Sequence, residues 1–424
     1  MDRLANTVRP YAWGSTTAIP ELLGTEPTGE PQAEMWMGAH PGAPSRIDRG
    51  AGPVSLAEVI DADPEAELGP DTVRAFGPRL PFLLKLLAAG SPLSLQVHPD
   101  LTQAKEGFAD EEQRGVPLDA PHRNYKDANH KPELIVALTP FDGLCGFRHP
   151  AEAADLLDGL GVDDLNPYVD ILRATPEEAA LREVLGAVLG AEHHAIAGTV
   201  ERATVAAGQR AAEGGPHADA YAAYAGIAHH YPGDPGVLAA MLLNHVRLQP
   251  GEALFLGAGI PHAYLSGLGV ELMANSDNVL RCGLTPKHVD IPELLRVVRF
   301  EAGDAGVLRP EEVAGEEVYD TPIDEFRLSR FVLAPGAAPR ALVSRTPQIL
   351  LCTAGTVRLR GTDKAPEADK VPEAGEAPEG VPERAGEPGG SELTLAPGES
   401  AFVRAGERLT LSGAGTLFRA TVVA

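Results

Sequence analysis

A ten-residue pattern that occurs twice constrains the fold of this chain more than any other feature. PGEALFLGAG, residues 250–259, returns 147 residues later as PGESAFVRAG, residues 397–406, with turn residues and apolar residues in the same order. A Pro-Gly turn, a short alternating run and a second glycine turn are typical of a β-strand between turns. The recurrence predicts two related β-units in one chain.

The two units differ three residues after each copy of the pattern. His262 follows the first copy, whereas Leu409 occupies the corresponding place after the second. Short strands joined by glycine turns favour jelly-roll barrels of the cupin type. We therefore predict a mainly β protein with two cupin-type barrels, of which only the first can bind a metal at this position.

Length and local composition predict how the chain divides into domains. Its length of 424 residues predicts two or three domains. Apolar residues recur at helical spacing in residues 150–246, which predicts a helical domain inserted into the first barrel. Residues 1–149 and 247–300 would then form the catalytic barrel, and residues 301–424 the second one.

Residues 361–390 form a low-complexity tract rich in proline, glutamate, glycine and alanine. Such a composition offers almost nothing with which to build a core, so we predict a disordered acidic loop on the second barrel.

Composition excludes several classes of function. A net charge of −25 lacks the basic footprint of a nucleic-acid-binding protein. No run of about 18 apolar residues is present, and the N-terminus lacks the apolar core of a secretory signal. Three cysteines without close spacing argue against a disulfide framework or a thiolate zinc site. We expect a cytoplasmic monomer that binds neither membrane nor nucleic acid.

Four side chains suggest a metal site. Gln96 and His98 share one face of a predicted strand, Glu133 opens the apolar run ELIVAL, and His262 begins the most polar stretch of the chain. Two imidazoles, a carboxylate and an amide oxygen suit zinc or a similar divalent ion. Spacing alone leaves the other interpretation open, namely that each histidine is a hydrogen-bonded core residue.

An anion site is the second hypothesis. Lys85, Ser94, Lys131 and Arg281 offer donors near the predicted metal site, and Arg281 offers a planar fork for phosphate. For any single cation, an ion pair with one of the 60 acidic residues is the alternative.

Of the other histidines, His130 is three residues before Glu133 and is a candidate acid, base or support for a ligand. We expect the rest to be turn, surface or solvated helix residues: His40, His193, His194, His229, His230 and His288.

The chain resembles the type I mannose-6-phosphate isomerases in six runs. They are YAWGS (11–15), AEMWMGAHPGAPS (33–45), LSLQVHPD (93–100), NYKDANHKPELIVALTPFDGLCGFR (124–148), GIPHAY (259–264) and VELMANSDNVLRCGLTPKHVD (270–290). The resemblance covers residues 11–290 apart from the helical segment, and it departs mildly at Ala89 and Gly90, where small residues replace bulkier ones.

The resemblance implies a zinc enzyme of carbohydrate metabolism that interconverts mannose 6-phosphate and fructose 6-phosphate. It implies one zinc per chain, held by the same four side chains proposed above. It also implies roles for further residues. Arg281 would act in catalysis, Lys131 and Glu271 in proton transfer, and His130 in ring opening, while the substrate would contact Lys85, Ser94, Tyr264 and Asp277. Glu271 and Lys131 both remain candidates for the general base.

Two other functions remain possible on sequence grounds. Two histidines and a carboxylate also describe non-haem iron oxygenases, although Gln96 and the cations argue against that class. A non-catalytic sugar-phosphate-binding protein of the same fold would be expected to have lost a ligand or Arg281, and neither is lost.

Overall fold

The structure is a computed structural model that describes residues 1–343, 345–362 and 391–423, without the side chain of His193. In these residues the strands are β1 (Asp2–Leu4), β2 (Thr7–Arg9), β3 (Glu34–Met37), β4 (Arg46–Ile47), β5 (Val54–Ser55), β6 (Phe82–Ala89), β7 (Leu95–Val97), β8 (Glu133–Ala137), β9 (Phe141–Phe147), β10 (Leu243–Leu248), β11 (Ala253–Leu256), β12 (His262–Ala274), β13 (Leu280–Gly283), β14 (Glu311–Val313), β15 (Glu316–Tyr319), β16 (Arg327–Leu333), β17 (Arg340–Val343), β18 (Gln348–Gly361), β19 (Glu392–Leu395), β20 (Ser400–Val403) and β21 (Arg408–Thr421). The helices are α1 (Ala18–Leu23), α2 (Leu56–Ala62), α3 (Pro64–Leu68), α4 (Pro70–Phe76), α5 (Leu101–Gln113), α6 (Pro150–Asp158), α7 (Asn166–Ala174), α8 (Glu177–Gly190), α9 (His193–Glu213), α10 (Ala218–His230), α11 (Gly236–Met241) and α12 (Ile291–Val297), with a short 3₁₀ turn at Asp163–Leu165.

Two large antiparallel sheets organise the described chain. The first has ten strands and is built around the long strand β12, which pairs with β6, β7, β8 and β9. The second has nine strands and is built around β18 and β21, which pair over most of their length. The prediction of a mainly β protein is therefore confirmed.

The repeated pattern has the same role in both sheets. Its first copy forms β11 and leads into β12, and its second copy forms β20 and leads into β21. β11 pairs with β8, and β20 pairs with the beginning of β18. Each copy therefore supplies a short strand followed by the central strand of its sheet.

Six helices, α6 to α11, lie in the chain between β9 and β10 and bury one apolar cluster against the first sheet. The helical segment ends at Met241, earlier than the predicted residue 246, because Leu243–Leu248 pairs with β9 instead of continuing the helix. None of the described helices is long and apolar enough to cross a membrane.

A shared core joins the two sheets. Leu84 and Val270 of the first sheet belong to the same buried cluster as Phe402 and Phe418 of the second. β1 also crosses between them, since this N-terminal strand pairs with β20. Cys145, Cys282 and Cys352 are free and buried. The acidic loop was predicted for residues 361–390; Gly361 is the last residue of β18, and residues 363–390 lie outside the described residues.

Candidate metal centre and sugar-phosphate cavity

Three buried side chains at strand ends of the first sheet face one another. His98, Glu133 and His262 place their ligand atoms within 4.8 Å of one another. The Nε2 atoms of His98 and His262 each lie 3.4 Å from a different oxygen of Glu133. Both imidazoles are 0% exposed and Glu133 is 2% exposed, so water does not solvate this group freely.

Strand ends bring these three residues together. His98 follows directly after β7, Glu133 is the first residue of β8, and His262 is the first residue of β12. Pro132 and Pro261 precede the last two residues, and proline suits the entry to a strand because it has no amide hydrogen for the ladder. Of the three side chains, Glu133 also lines a cavity.

The hydrogen bonds of the two imidazoles fix which nitrogen is free. Nδ1 of His98 lies 2.7 Å from the carbonyl of Asn278, and Nδ1 of His262 lies 2.9 Å from the carbonyl of Ile260. A carbonyl oxygen only accepts, so each Nδ1 carries the proton and donates it. Each Nε2 therefore presents a lone pair to Glu133, the arrangement that a supported metal ligand needs.

The free atoms of the group require a cation. Nε2 of His98, Nε2 of His262 and Oε2 of Glu133 are buried and have no hydrogen-bond partner among the described residues. All three are acceptors, so they cannot satisfy one another, and buried acceptors without partners are costly. A divalent ion between them removes this cost, and the donor set of two imidazoles and a carboxylate suits zinc.

Electrostatics keep the ligands in the form that binds a metal. Burial lowers the pKa of His98 to about 4, so its ring is neutral at neutral pH. Burial opposes the charge of Glu133, but Lys131 and then His98 outweigh it and hold the pKa of this carboxyl well below its usual range. Nζ of Lys131 lies 2.9 Å from Oε1 of Glu133.

The group opens into a cavity of about 530 Å³. Most of the side chains predicted for the site line it: Lys85, Ser94, Gln96, Lys131, Glu133, Tyr264, Glu271, Asp277 and Arg281. Gln96 is half-buried and pairs across the strands with His262, which places it next to the three ligands. His98 and His262 lie behind this lining.

Two cations in the cavity have no acidic partner. Among the residues that the structure describes, neither Arg281 nor Lys287 forms an ion pair, although the chain carries 60 acidic residues. Burial lowers the pKa of Arg281, and burial together with the charge of Arg281 lowers the pKa of Lys287. Arg281 is half-buried and Lys287 is exposed at the edge of the cavity, and neither cation is neutralised by a carboxylate, which favours the binding of an anion.

Lys85, by contrast, is already paired. Its Nζ lies 3.0 Å from Oε2 of Glu271 and 3.8 Å from Glu34. Burial would lower the pKa of Lys85, but these carboxylates and Glu133 raise it above its ordinary value. The hydroxyl of Tyr264 donates to the other oxygen of Glu271 at 3.0 Å. Burial raises the pKa of Glu271 in spite of the nearby Lys85.

His130 lies outside this arrangement. It is absent from the cavity lining, and its Nε2 is in hydrogen-bond contact with Oε1 of Glu325, a residue just before β16. The remaining histidines follow the prediction where their side chains are described, since His194, His229, His230 and His288 are exposed.

Sequence reasoning missed several residues of the cavity. His40 was expected in an ordinary turn, yet it is 5% exposed and its Nε2 lies 3.4 Å from Oδ1 of Asp277. The lining also includes Tyr11, Trp13, Trp36, Tyr231 and Thr285. A signal was available, since the only two tryptophans of the chain both lie in the N-terminal runs and both line the cavity.

A mainly antiparallel β fold with a buried histidine and carboxylate metal group in a cavity defines a metal-dependent protein of the β class. Residues 1–150 match the family described as phosphomannose isomerase type I, catalytic domain. Mannose-6-phosphate isomerase of Escherichia coli K12 is 40% identical over 99% of both chains. The human mannose-6-phosphate isomerase is 33% identical over 84% of this chain and 87% of its own.

Solved structures give the same result. A variant of phosphomannose isomerase from Salmonella typhimurium has a TM-score of 0.86 at 37% identity and full coverage of both chains. A structure of mannose 6-phosphate isomerase described as holo and zinc bound has a TM-score of 0.85, with 100% of this chain and 99% of that one covered. The chain belongs to the type I mannose-6-phosphate isomerase family.

Proposed function

We propose that this chain interconverts mannose 6-phosphate and fructose 6-phosphate with one zinc ion per chain, the function that its family membership supports. One observation carries the proposal at the level of residues. One cavity is lined by Glu133, a member of the group of buried acceptors that needs a cation, and by two cations without acidic partners that suit a phosphate. Neither an oxygenase nor a sugar-phosphate carrier requires both features together.

The zinc ligands in this proposal are Gln96, His98, Glu133 and His262. Orphaned acceptor atoms support the last three, and the cross-strand position of Gln96 opposite His262 supports the first. When bound, zinc supplies positive charge that polarises the substrate oxygens and stabilises negative charge developing on them. The zinc-bound relative supports the choice of metal.

Glu271 is the general base in our proposal. The reaction removes a proton from C2 and returns it to C1, so one group must accept the proton and donate it again. Burial raises the pKa of Glu271 towards the range suited to this exchange, and Tyr264 and Lys85 fix the orientation of its carboxyl group. Lys131, fixed beside Glu133, would donate to a substrate oxygen.

Arg281 and Lys287 hold the phosphate. They are cations of the cavity without acidic partners, whereas the amine of Lys85 is already engaged by Glu271. Binding the phosphate there orients the reacting end of the sugar. Ser94, Tyr264 and Asp277 line the same cavity and would contact the substrate. The role of His130 in ring opening stays a prediction, and it would require His130 to leave Glu325.

We also propose that the sheets form two cupin-type jelly-roll barrels, with the helical domain predicted for residues 150–246 inserted into the catalytic one and its last helix ending at Met241. The equivalent use of the repeated pattern in both sheets supports the two-barrel interpretation. In this division, residues 1–149 and 247–300 form the catalytic barrel and residues 301–424 form the second, except that β1 pairs with the second sheet. Trypsin nicking within residues 150–246 and at the ends of the second barrel would test the boundaries.

A cytoplasmic monomer is the remaining part of the proposal. Three free, buried thiols fit a reducing compartment. Sedimentation velocity on the purified chain tests the monomer, and a species of twice the 44.4 kDa mass would contradict it.

The decisive experiment is a coupled assay for fructose 6-phosphate, run on protein stripped of metal and on the same protein with zinc restored. We expect turnover only with zinc. Absence of turnover in the zinc-loaded protein would remove the proposal.

Deuterium at C2 of the substrate then distinguishes the two base candidates. Glu271→Gln should abolish the exchange of this deuterium with water, and Lys131→Met should reduce turnover while keeping some exchange. The opposite result would give the base role to Lys131.

A further inference from the structure

One asparagine in the connection between β12 and β13 uses its whole side chain to bind a loop that is distant in sequence. Asn278 is 0% exposed. Its Oδ1 accepts from the backbone amides of Lys126 at 2.7 Å and Asp127 at 3.3 Å. Its Nδ2 donates to the carbonyls of Asp127 at 2.7 Å and Asn129 at 2.8 Å. An asparagine amide has two donors and one acceptor oxygen, so no capacity is left over.

The backbone of the same residue supports a metal ligand. The carbonyl of Asn278 accepts from Nδ1 of His98 at 2.7 Å, and this bond leaves Nε2 of His98 free for the metal. The loop that Asn278 binds continues from Asn129 to Lys131 and Glu133. Asn278 therefore contacts His98 on one side and the loop that leads to Glu133 on the other. These two ligands lie far apart in the sequence.

We propose that Asn278 is a positioning residue for the metal centre. Its amide sets the distance between the loop leading to Glu133 and the carbonyl that orients His98. The inference deepens the proposed function and rests on it, because it assumes that the three facing ligands bind zinc. Partners that orient a metal ligand typically contribute about 10- to 100-fold to metal affinity.

The loop has other contacts that should keep it folded without Asn278. Oγ of Ser276 donates to Oδ1 of Asp127 at 2.9 Å, and the amide of Asp277 donates to Oδ2 of Asp127 at 2.8 Å. Removal of the Asn278 amide therefore loosens the connection and does not remove it. A change in metal binding is then expected in a folded protein.

A matched control lies three residues earlier. Asn275 also lies in the connection between β12 and β13, but its Nδ2 donates at 3.3 Å to the carbonyl of Leu80 and its side chain makes no hydrogen bond with residues 126–129. Asn275→Ala therefore removes an asparagine amide from the same loop without touching the proposed connection.

The test measures zinc affinity of the purified full chain by competition with a chelating dye, together with the absorption spectrum of the cobalt-substituted protein. We expect Asn278→Ala to weaken zinc binding by about 10- to 100-fold and to alter the cobalt spectrum, and Asn275→Ala to leave both as in the wild type. Asn278→Asp keeps the size and the acceptor but turns an oxygen towards two carbonyls, so it should weaken binding too.

Equal zinc affinity in the wild type and in Asn278→Ala would overturn the inference, as would an equal loss in Asn275→Ala. If Asn278→Ala does not fold, Asn278→Asp decides by the same criterion. A wild type that binds no zinc would instead overturn the proposed function, so the two failures are distinguishable.

Discussion

The unit around His262 and the unit around Leu409 have corresponding strands but different interiors. Glu133 pairs with Leu256 in the first sheet as Gln348 pairs with Val403 in the second, and both partners occupy the same place in the repeated pattern. His262 corresponds to Leu409, which is 1% exposed within a cluster of apolar residues. The interior of the first unit contains the candidate metal ligands, and the corresponding position of the second unit is packed with apolar side chains.

The correspondence extends to the polar residues. Glu271 pairs with Ile135 and Lys85, as Arg419 pairs with Leu350 and Ser329. A buried carboxylate in the first unit thus corresponds to a guanidinium in the second.

This guanidinium satisfies the acceptors around it. Nε of Arg419 donates to Oε1 of Gln348 at 2.7 Å, and its Nη1 donates to Glu316 at 3.0 Å. The second unit therefore contains buried polar groups as well, but each of these acceptors faces a donor.

The balance of donors and acceptors distinguishes a metal site from an ordinary polar cluster. Both units place charged groups at equivalent strands, so the presence of charge does not separate them. In the first unit, the free atoms of His98, Glu133 and His262 are all acceptors. Acceptors that face one another without a donor require a cation, whereas acceptors that face an arginine do not.

The largest expected effect on turnover comes from replacing His262 by leucine, the residue at the corresponding position 409 of the second unit. His262→Leu removes one imidazole from the zinc site and fills a similar volume, so zinc content should fall and turnover should drop by at least about a hundredfold. Metal analysis and the coupled assay measure both changes. The metal-free variant should unfold at no lower urea concentration than metal-free wild type, because facing acceptors have been removed. Full turnover without bound zinc would contradict the ligand role.

Leu409→Ala tests whether the second unit contributes to stability and not to catalysis. Truncation of a buried leucine in a packed interior should lower the free energy of unfolding by about 2–5 kcal/mol. The kcat of the folded enzyme should not change, since no described residue after Lys287 lines the cavity. Urea denaturation and kinetics separate the two readouts.

Val343→Ala is the control for Leu409→Ala, because Val343 is 50% exposed on β17. It should change the free energy of unfolding by less than about 0.5 kcal/mol. A loss of kcat in Leu409→Ala without a loss of stability would show that the second unit acts on the site.

The sequence predicted those parts of the site that local geometry decides. Gln96 lies on β7 and His98 follows directly after it, close to the strand that their spacing predicted, and the repeat marked the scaffold of both sheets. The pairing of Asp277 with His40 was not predictable, since a turn near the N-terminus meets residue 277 only through tertiary packing. Tyr231 reaches the cavity from the end of α10 for the same reason.

Two further positions show that local sequence patterns do not fix tertiary contacts. Residues 243–246 continue the helical spacing of α11, yet pairing with β9 makes them a strand, because tertiary pairing overrides local preference. His130 precedes Glu133 by three residues, but adjacency does not fix the direction of a side chain before a strand begins. Its ring is bound to Glu325 of the second unit instead of facing the cavity.

A smaller effect is expected for Arg281→Lys, which sharpens the comparison by changing substrate binding without changing zinc. A lysine keeps the charge but cannot donate two parallel bonds to a phosphate. We expect kcat/KM to fall by about ten- to a hundredfold, the value of a strong charged hydrogen bond, with zinc content unchanged.

Arg299→Lys is the control for Arg281→Lys, since Arg299 is an exposed arginine paired with Glu301 and lies outside the cavity. Its kinetics should match the wild type. An unchanged kcat/KM in Arg281→Lys would remove Arg281 from the proposed phosphate site.

The smallest effect is expected from deleting residues 363–390, which are inserted in the unit without a metal. The amide of Gly361 donates to the carbonyl of Ser391 at 2.9 Å, and β18 pairs with β19 from Arg360 and Glu392 onward. The inserted tract therefore leaves and re-enters the sheet at adjacent positions, so a short turn can replace it. Because a shorter loop is easier to close, the free energy of unfolding should stay constant or rise by at most about 2 kcal/mol. Turnover should not change, and a marked loss of either quantity would show that the second unit needs the tract.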